Sequence, residues 1–75
     1  MNSSDALYDV LNKVYSVTEY GGFVDMDTLE TEFGLSGSKL RPLLEDLKAK
    51  LFVVEHEEGF QITKQGLHHC KSIWA

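Results

Sequence analysis

The side chains best suited to catalysis or metal binding are three histidines and one cysteine: His56, His68, His69 and Cys70. A helical zinc site places two ligands four residues apart, so that both face the same way. His68 and His69 are adjacent, and on a helix neighbouring side chains diverge by about 100°. His56 could join them only if the segment around it folded over that helix. A Cys70–His pair lacks a third group to orient the base, which nucleophilic catalysis requires. The spacing therefore reads as a buried Cys70 flanked by surface histidines, with no metal, no cofactor and no catalytic residue. Gly21-Gly22 is a helix stop and not a phosphate-binding loop.

The elements that would hold these residues are few. Seventy-five residues, 43% of them apolar and 25% charged, predict one small globular domain spanning residues 1–75. A core of that size has little room for a buried active site, which weighs against an enzyme. The single cysteine excludes an intrachain disulfide and fits a reducing compartment. Residues 1–5 lack the basic region and apolar run of a signal peptide. The longest apolar run, Leu51-Phe52-Val53-Val54, is far too short to span a membrane. A cytoplasmic location without membrane contact is expected.

Leu7, Val10, Leu11, Val14 and Val17 recur at helical spacing, with Ser3 or Ser4 as cap, Asp5 at the positive end and an Asp9–Lys13 pair outside. Gly21-Gly22 should stop this helix by Tyr20. Phe23-Val24 is long enough only for a brief strand. Asp27 with Glu30 resembles a capping box opening a short helix, apolar at Met26, Leu29 and Phe33, that stops at Gly34. Ser36 or Ser38 opens a third helix striped by Leu40, Leu43, Leu44, Leu47 and Leu51. Pro42 fits only near a first turn, which favours Ser38 as the cap. Beyond Leu51, β-branched and aromatic residues on either side of Glu57-Glu58-Gly59 predict a hairpin of 52–56 with 60–62. Thr63 caps a closing helix that carries Leu67, Cys70, Ile73 and Trp74, with Gly66 as a weak point in its first turn.

The net charge of −5 is unevenly spread. Residues 1–34 hold one base against seven acids, and residues 52–75 two bases against three acids. Residues 35–51 hold four bases against two acids and form the one positive segment.

The order helix, short strand, helix, turn, helix, hairpin, helix resembles a winged helix-turn-helix domain of the kind found in small regulators. The continuous stretch Leu29-Glu30-Thr31-Glu32-Phe33-Gly34-Leu35-Ser36-Gly37-Ser38-Lys39-Leu40-Arg41-Pro42-Leu43-Leu44-Glu45-Asp46-Leu47 looks like its short helix, Gly-Leu-Ser turn and following helix ending in Leu-x-x-Leu. Lys50-Leu51-Phe52-Val53 and Phe60-Gln61-Ile62-Thr63-Lys64-Gln65-Gly66 look like its two wing strands and the entry to its closing helix. The resemblance implies an α+β, mainly helical fold: a three-helix core, a two-stranded wing with a short third strand, and a C-terminal helix. It also implies a transcriptional regulator whose third helix, at about residues 36–50, reads the major groove of double-stranded DNA. Ser36, Ser38, Lys39, Arg41 and Lys48 would then face DNA, Arg41 spanning guanine O6 and N7, and Ser38, Lys39 and Lys48 meeting phosphate.

Two features qualify that expectation. Glu55, Glu57 and Glu58 make an acidic wing where the family often places Arg or Lys, and carboxylates repel phosphate. A homodimer would offset this by doubling the contacts, with Leu7, Tyr8, Tyr15, Ile73 and Trp74 as its candidate surface. The alternative is an acidic interaction module that docks a basic protein surface and binds no DNA.

Overall fold

The apolar stripe of the first sixteen helical residues organises the core. In the computed structural model, which describes residues 3–74 and side chains 6–72, α1 (Ser3–Thr18) buries Leu7, Val10, Leu11 and Val14. The proposed caps at Ser3, Ser4 and Asp5 lie outside the described side chains. α2 (Met26–Phe33), α3 (Gly37–Ala49), β1 (Val53–His56), β2 (Gly59–Ile62) and α4 (Lys64–Trp74) follow in order. The chain is α+β and mainly helical. Leu29 from α2, Leu40, Leu44 and Leu47 from α3, Val53 and Phe60 from the sheet, and Cys70 from α4 complete the core. α1 packs against α3, β2 and α4.

Several local features differ from the sequence expectation. α2 is capped by Asp25, whose carboxylate accepts the Thr28 N–H at 2.8 Å. Asp27 lies instead in the first turn, where its charge suits the positive end of the helix. Lys13 reaches across to Glu32 at 3.5 Å, not to Asp9. α3 starts directly after Ser36, which places Pro42 in its second turn. Proline has no N–H, so the Ser38 carbonyl forgoes its helical partner there. Phe23-Val24 contributes only a bridge: Val24 donates to the Phe60 carbonyl at 2.9 Å and Phe60 to the Val24 carbonyl at 2.7 Å.

β1 and β2 pair antiparallel, Val53 opposite Ile62 and His56 opposite Gly59, leaving Glu57-Glu58 as the turn. Gly59 adopts φ 141°, and a Cβ there would lie 2.5 Å from the Val24 carbonyl oxygen. Thr18 ties this sheet to α1. Its buried hydroxyl donates to the Val14 carbonyl at 2.7 Å and accepts the Ile62 N–H at 2.9 Å.

The junction after α3 has an unusual occupant. Leu51 donates to the Lys48 carbonyl at 2.9 Å and Phe52 to the Leu47 carbonyl at 3.0 Å. This pair of bonds is the Schellman closure, whose left-handed position usually holds glycine. Here it holds Leu51, at φ 64°. The Leu51 side chain, read from its spacing as part of the α3 stripe, is consequently 63% exposed. α4 secures the junction: Thr63 donates its N–H to the Phe52 carbonyl at 3.0 Å and its hydroxyl to the Leu51 carbonyl, and Gln65 donates to the Lys50 carbonyl. The Thr63 hydroxyl also caps α4 by accepting the Gly66 N–H at 2.9 Å. Gly66 is required here, because a Cβ would lie 2.2 Å from the Phe52 carbonyl oxygen.

Two substitutions test these joints. Thr18→Val strands the buried Ile62 N–H and should lower the unfolding free energy in urea by about 1–3 kcal/mol. Leu51→Gly removes an exposed side chain from a backbone conformation that disfavours it, and should raise the unfolding free energy by about 1 kcal/mol.

Candidate functional site

The outer face of α3 carries Lys39, Arg41, Glu45, Asp46 and Lys48. Helical geometry brings Arg41, Glu45 and Lys48 into one row, because residues three and four apart are neighbours. Arg41 Nη1 lies 3.2 Å from Glu45 Oε2, and Lys48 Nζ lies 3.0 Å from the same oxygen. Glu55 closes the row from β1: its Oε1 is 2.9 Å from Arg41 Nη1 and 2.9 Å from Lys48 Nζ. Two cations and two carboxylates thus form a closed ring that clamps the hairpin to the helix. The Arg41 guanidinium also sits over the Phe60 ring, 5.5 Å from its centroid.

Each member shifts its partners in the direction that favours charge. Hydrogen bonds from Lys48 and then Arg41 hold the Glu55 and Glu45 carboxyls below the usual glutamate range. Bonds to Glu55 and then Glu45 raise the Arg41 and Lys48 pKa values. All four side chains are substantially solvated, and exposed pairs of this kind contribute little individually.

The start of α3 is occupied by a carboxylate of the chain itself. Glu30 Oε2, from the middle of α2, accepts the Gly37 N–H at 2.7 Å. Helix N-termini attract anions through such free N–H groups, and here an internal anion takes that place. Ser36 makes no side-chain cap; its hydroxyl instead pairs with that of Ser38 at 2.9 Å. Lys50 pairs with Asp46 at 2.8 Å. Lys39 is exposed and has no ion-pair partner among the described residues.

The fold therefore brings Ser36, Ser38, Lys39, Arg41 and Lys48 onto one helix and its preceding turn. It also brings Glu30 and Glu55 to them, which the sequence reading did not anticipate. The balance of +2 over residues 35–51 becomes zero once these two acids are counted. No local period marks either contact: Glu30 is seven residues from Gly37, and Glu55 fourteen from Arg41.

The other candidates are dispersed. Leu7 is buried in the core at 8% exposure, whereas Tyr8 is exposed at 37%. Tyr15 is half-buried and donates its hydroxyl to Glu19 at 3.2 Å. Ile73 and Trp74 lie outside the described side chains. His68 is exposed, and Cys70 is buried, its thiol pushed up to about 11 by desolvation. His69 stacks on Phe52, with ring centroids 4.5 Å apart, and its Nε2 is buried with no hydrogen-bond partner among the described residues. His56 meets Phe23 edge-on at 5.2 Å. Among the described residues no helix is long and apolar enough to cross a membrane. Compared with protein-family models, curated proteins and solved structures, the chain matches none.

The ring carries a definite pH signature. Glu45 and Glu55 titrate lower in the folded chain than unfolded, so their contribution is present above the unfolded glutamate pKa of about 4.3. It is lost as pH falls through the lowered folded values. Glu55→Gln should therefore be less stable than the wild type at neutral pH, and the gap should close on acidification below about pH 4. Urea unfolding of both proteins along a pH series measures it.

Proposed function

We propose that the chain is a winged helix-turn-helix regulator that binds duplex DNA with α3, the β1–β2 hairpin serving as its wing. The observation that carries this reading is the exposed face of α3. Lys39, Arg41 and the paired hydroxyls of Ser36 and Ser38 stand together at the N-terminal half of that helix, just beyond the turn from α2. In this mode of docking, residues near the start of the second helix meet base edges. Arg41 has the planar fork that guanine O6 and N7 accept, while Lys39 and Lys48 would lie against phosphate. A homodimer through the Tyr8 face of α1 would present two copies of α3 to a palindromic site.

On this reading the ring acts as an internal competitor. Glu55 and Glu45 occupy the donors that phosphate or guanine would use, and Glu30 occupies the Gly37 N–H. Solvated pairs exchange readily for a stronger anion, so binding remains open to DNA at the expense of affinity. The same neutralisation supports a second reading: a protein-docking module whose acidic surface receives a basic partner.

Retention on mixed duplex DNA at about 50 and 200 mM salt separates the two readings, because phosphate contacts make binding fall steeply with salt. Wild type should bind at the lower salt. Arg41→Ala should bind about 5- to 100-fold more weakly, the loss expected for one bidentate base contact. Glu55→Gln should bind more tightly than wild type, since it releases Arg41 and Lys48. If neither folded wild type nor Glu55→Gln binds any duplex at the lower salt, DNA recognition is excluded.

A further inference from the structure

A second candidate site lies between α1 and the end of α2, apart from the ring on α3. α1 packs against α3, β2 and α4, and its contact with α2 is slight. A partly enclosed cavity of about 310 Å³ occupies that gap. Val10, fully buried in the core, lines it together with Ala6, Phe33 and Leu35. The void has a cause in the sequence, because from α1 only Val10 and the single methyl group of Ala6 supply apolar bulk there. Its walls are held by the fold. Gly34, left-handed at φ 63°, sets Phe33 and Leu35 on either side of the turn and donates its N–H to the Glu30 carbonyl at 2.9 Å.

Asp9 is the one charged residue among those that line this cavity. Lys13, four residues along the same face of α1, is its natural partner. Lys13 is instead drawn across the gap to Glu32 of α2, at 3.5 Å. Asp9 therefore stands at the cavity with no ion-pair partner among the described residues. Ordered water is a poor occupant, since it needs two to four polar partners and this lining is mainly apolar. Small-molecule sites have the same make-up: about 300–1,000 Å³, apolar walls and a few placed polar groups.

We propose that this cavity binds a small organic cation, a primary amine carried on a short aromatic or branched apolar body. The body rests on Val10, Phe33 and Leu35, and the ammonium group meets the Asp9 carboxylate. Charge sets the class. Asp9, with Glu32 beyond it, repels an anion, and a neutral ligand leaves the carboxylate unpaired. The open groove beside β1 makes no such choice, because Lys48 lines it along with Glu55 and Glu57.

The test titrates the full chain with phenethylamine, using phenethyl alcohol as the neutral match and hydrocinnamate as the anion. Amide NMR should show saturable shifts centred on Ala6, Asp9, Val10, Phe33 and Leu35. The amine should bind about fivefold more tightly than the alcohol, the upper end for a solvated ion pair, and the anion more weakly than either. Asp9→Asn, at an exposed position, should bring the amine level with the alcohol and leave the alcohol's affinity unchanged. Ala6→Leu should fill the cavity and abolish both sets of shifts. Absence of saturable shifts at these residues would overturn the proposal, as would equal affinity for amine and anion or an amine preference that survives in folded Asp9→Asn. Shifts at the same residues on concentrating the protein alone would make a second copy the occupant and equally overturn it. The lining shares no residue with the ring on α3, so the outcome is independent of the DNA reading.

Discussion

The left-handed turn at Leu51 is the constraint on which the polar half of the molecule depends. It ends α3 and returns the chain along the helix as β1, which carries Glu55 to within 2.9 Å of both Arg41 and Lys48. The same turn leaves the Leu47, Lys48, Lys50, Leu51 and Phe52 carbonyls to be satisfied locally. The junction amides take the first two, and Thr63 and Gln65 at the start of α4 take the rest. Gly66 lets α4 approach closely enough for this. A leucine in such a position costs about 1–2 kcal/mol in backbone strain, so it persists because the surrounding bonds over-determine the turn.

Electrostatics then opposes what the fold presents. α3 and its C-cap display their bases outward, yet among the described residues every one but Lys39 is paired with a carboxylate. Three acids contributed by α3 and β1 do this, and a fourth, Glu30, takes the amide at the start of α3. In the free chain this arrangement spares a small, strongly acidic domain from concentrating positive charge on one exposed helix. The consequence for recognition is competition: any anion approaching α3 must displace groups that already satisfy its donors. An acidic hairpin turn adds repulsion from the same side.

Hydrophobic spacing made the core legible. Leu7, Val10, Leu11 and Val14, then Leu40, Leu44 and Leu47, are buried as their helical periods require, because the stripe facing the core must be apolar whatever lies opposite. Gly34 stops α2 in the left-handed conformation as local chemistry predicts, and the hairpin forms where expected, although Gly59, expected in its turn, opens β2 opposite His56. Caps were less legible. Asp25 and Asp27 are both competent, and only the position where α2 leaves the preceding bridge selects Asp25. Pro42 tolerates a second-turn position, since the rest of α3 is anchored by three buried leucines.

The sequence alone determined which segments are helical, most of the residues that line the core and which helix gathers the bases, because each follows from spacing within one element. Val17, in the α1 stripe by its spacing, is instead 41% exposed. Tertiary structure alone decided what those bases touch. Glu30 and Glu55 reach α3 from different elements, and no periodicity encodes a contact between residues whose distance depends on how two elements cross. The same holds for Thr18, whose hydroxyl serves an amide forty-four residues away, and for Leu51. That leucine's spacing placed it in the core, and the turn that closes α3 turned it out to solvent.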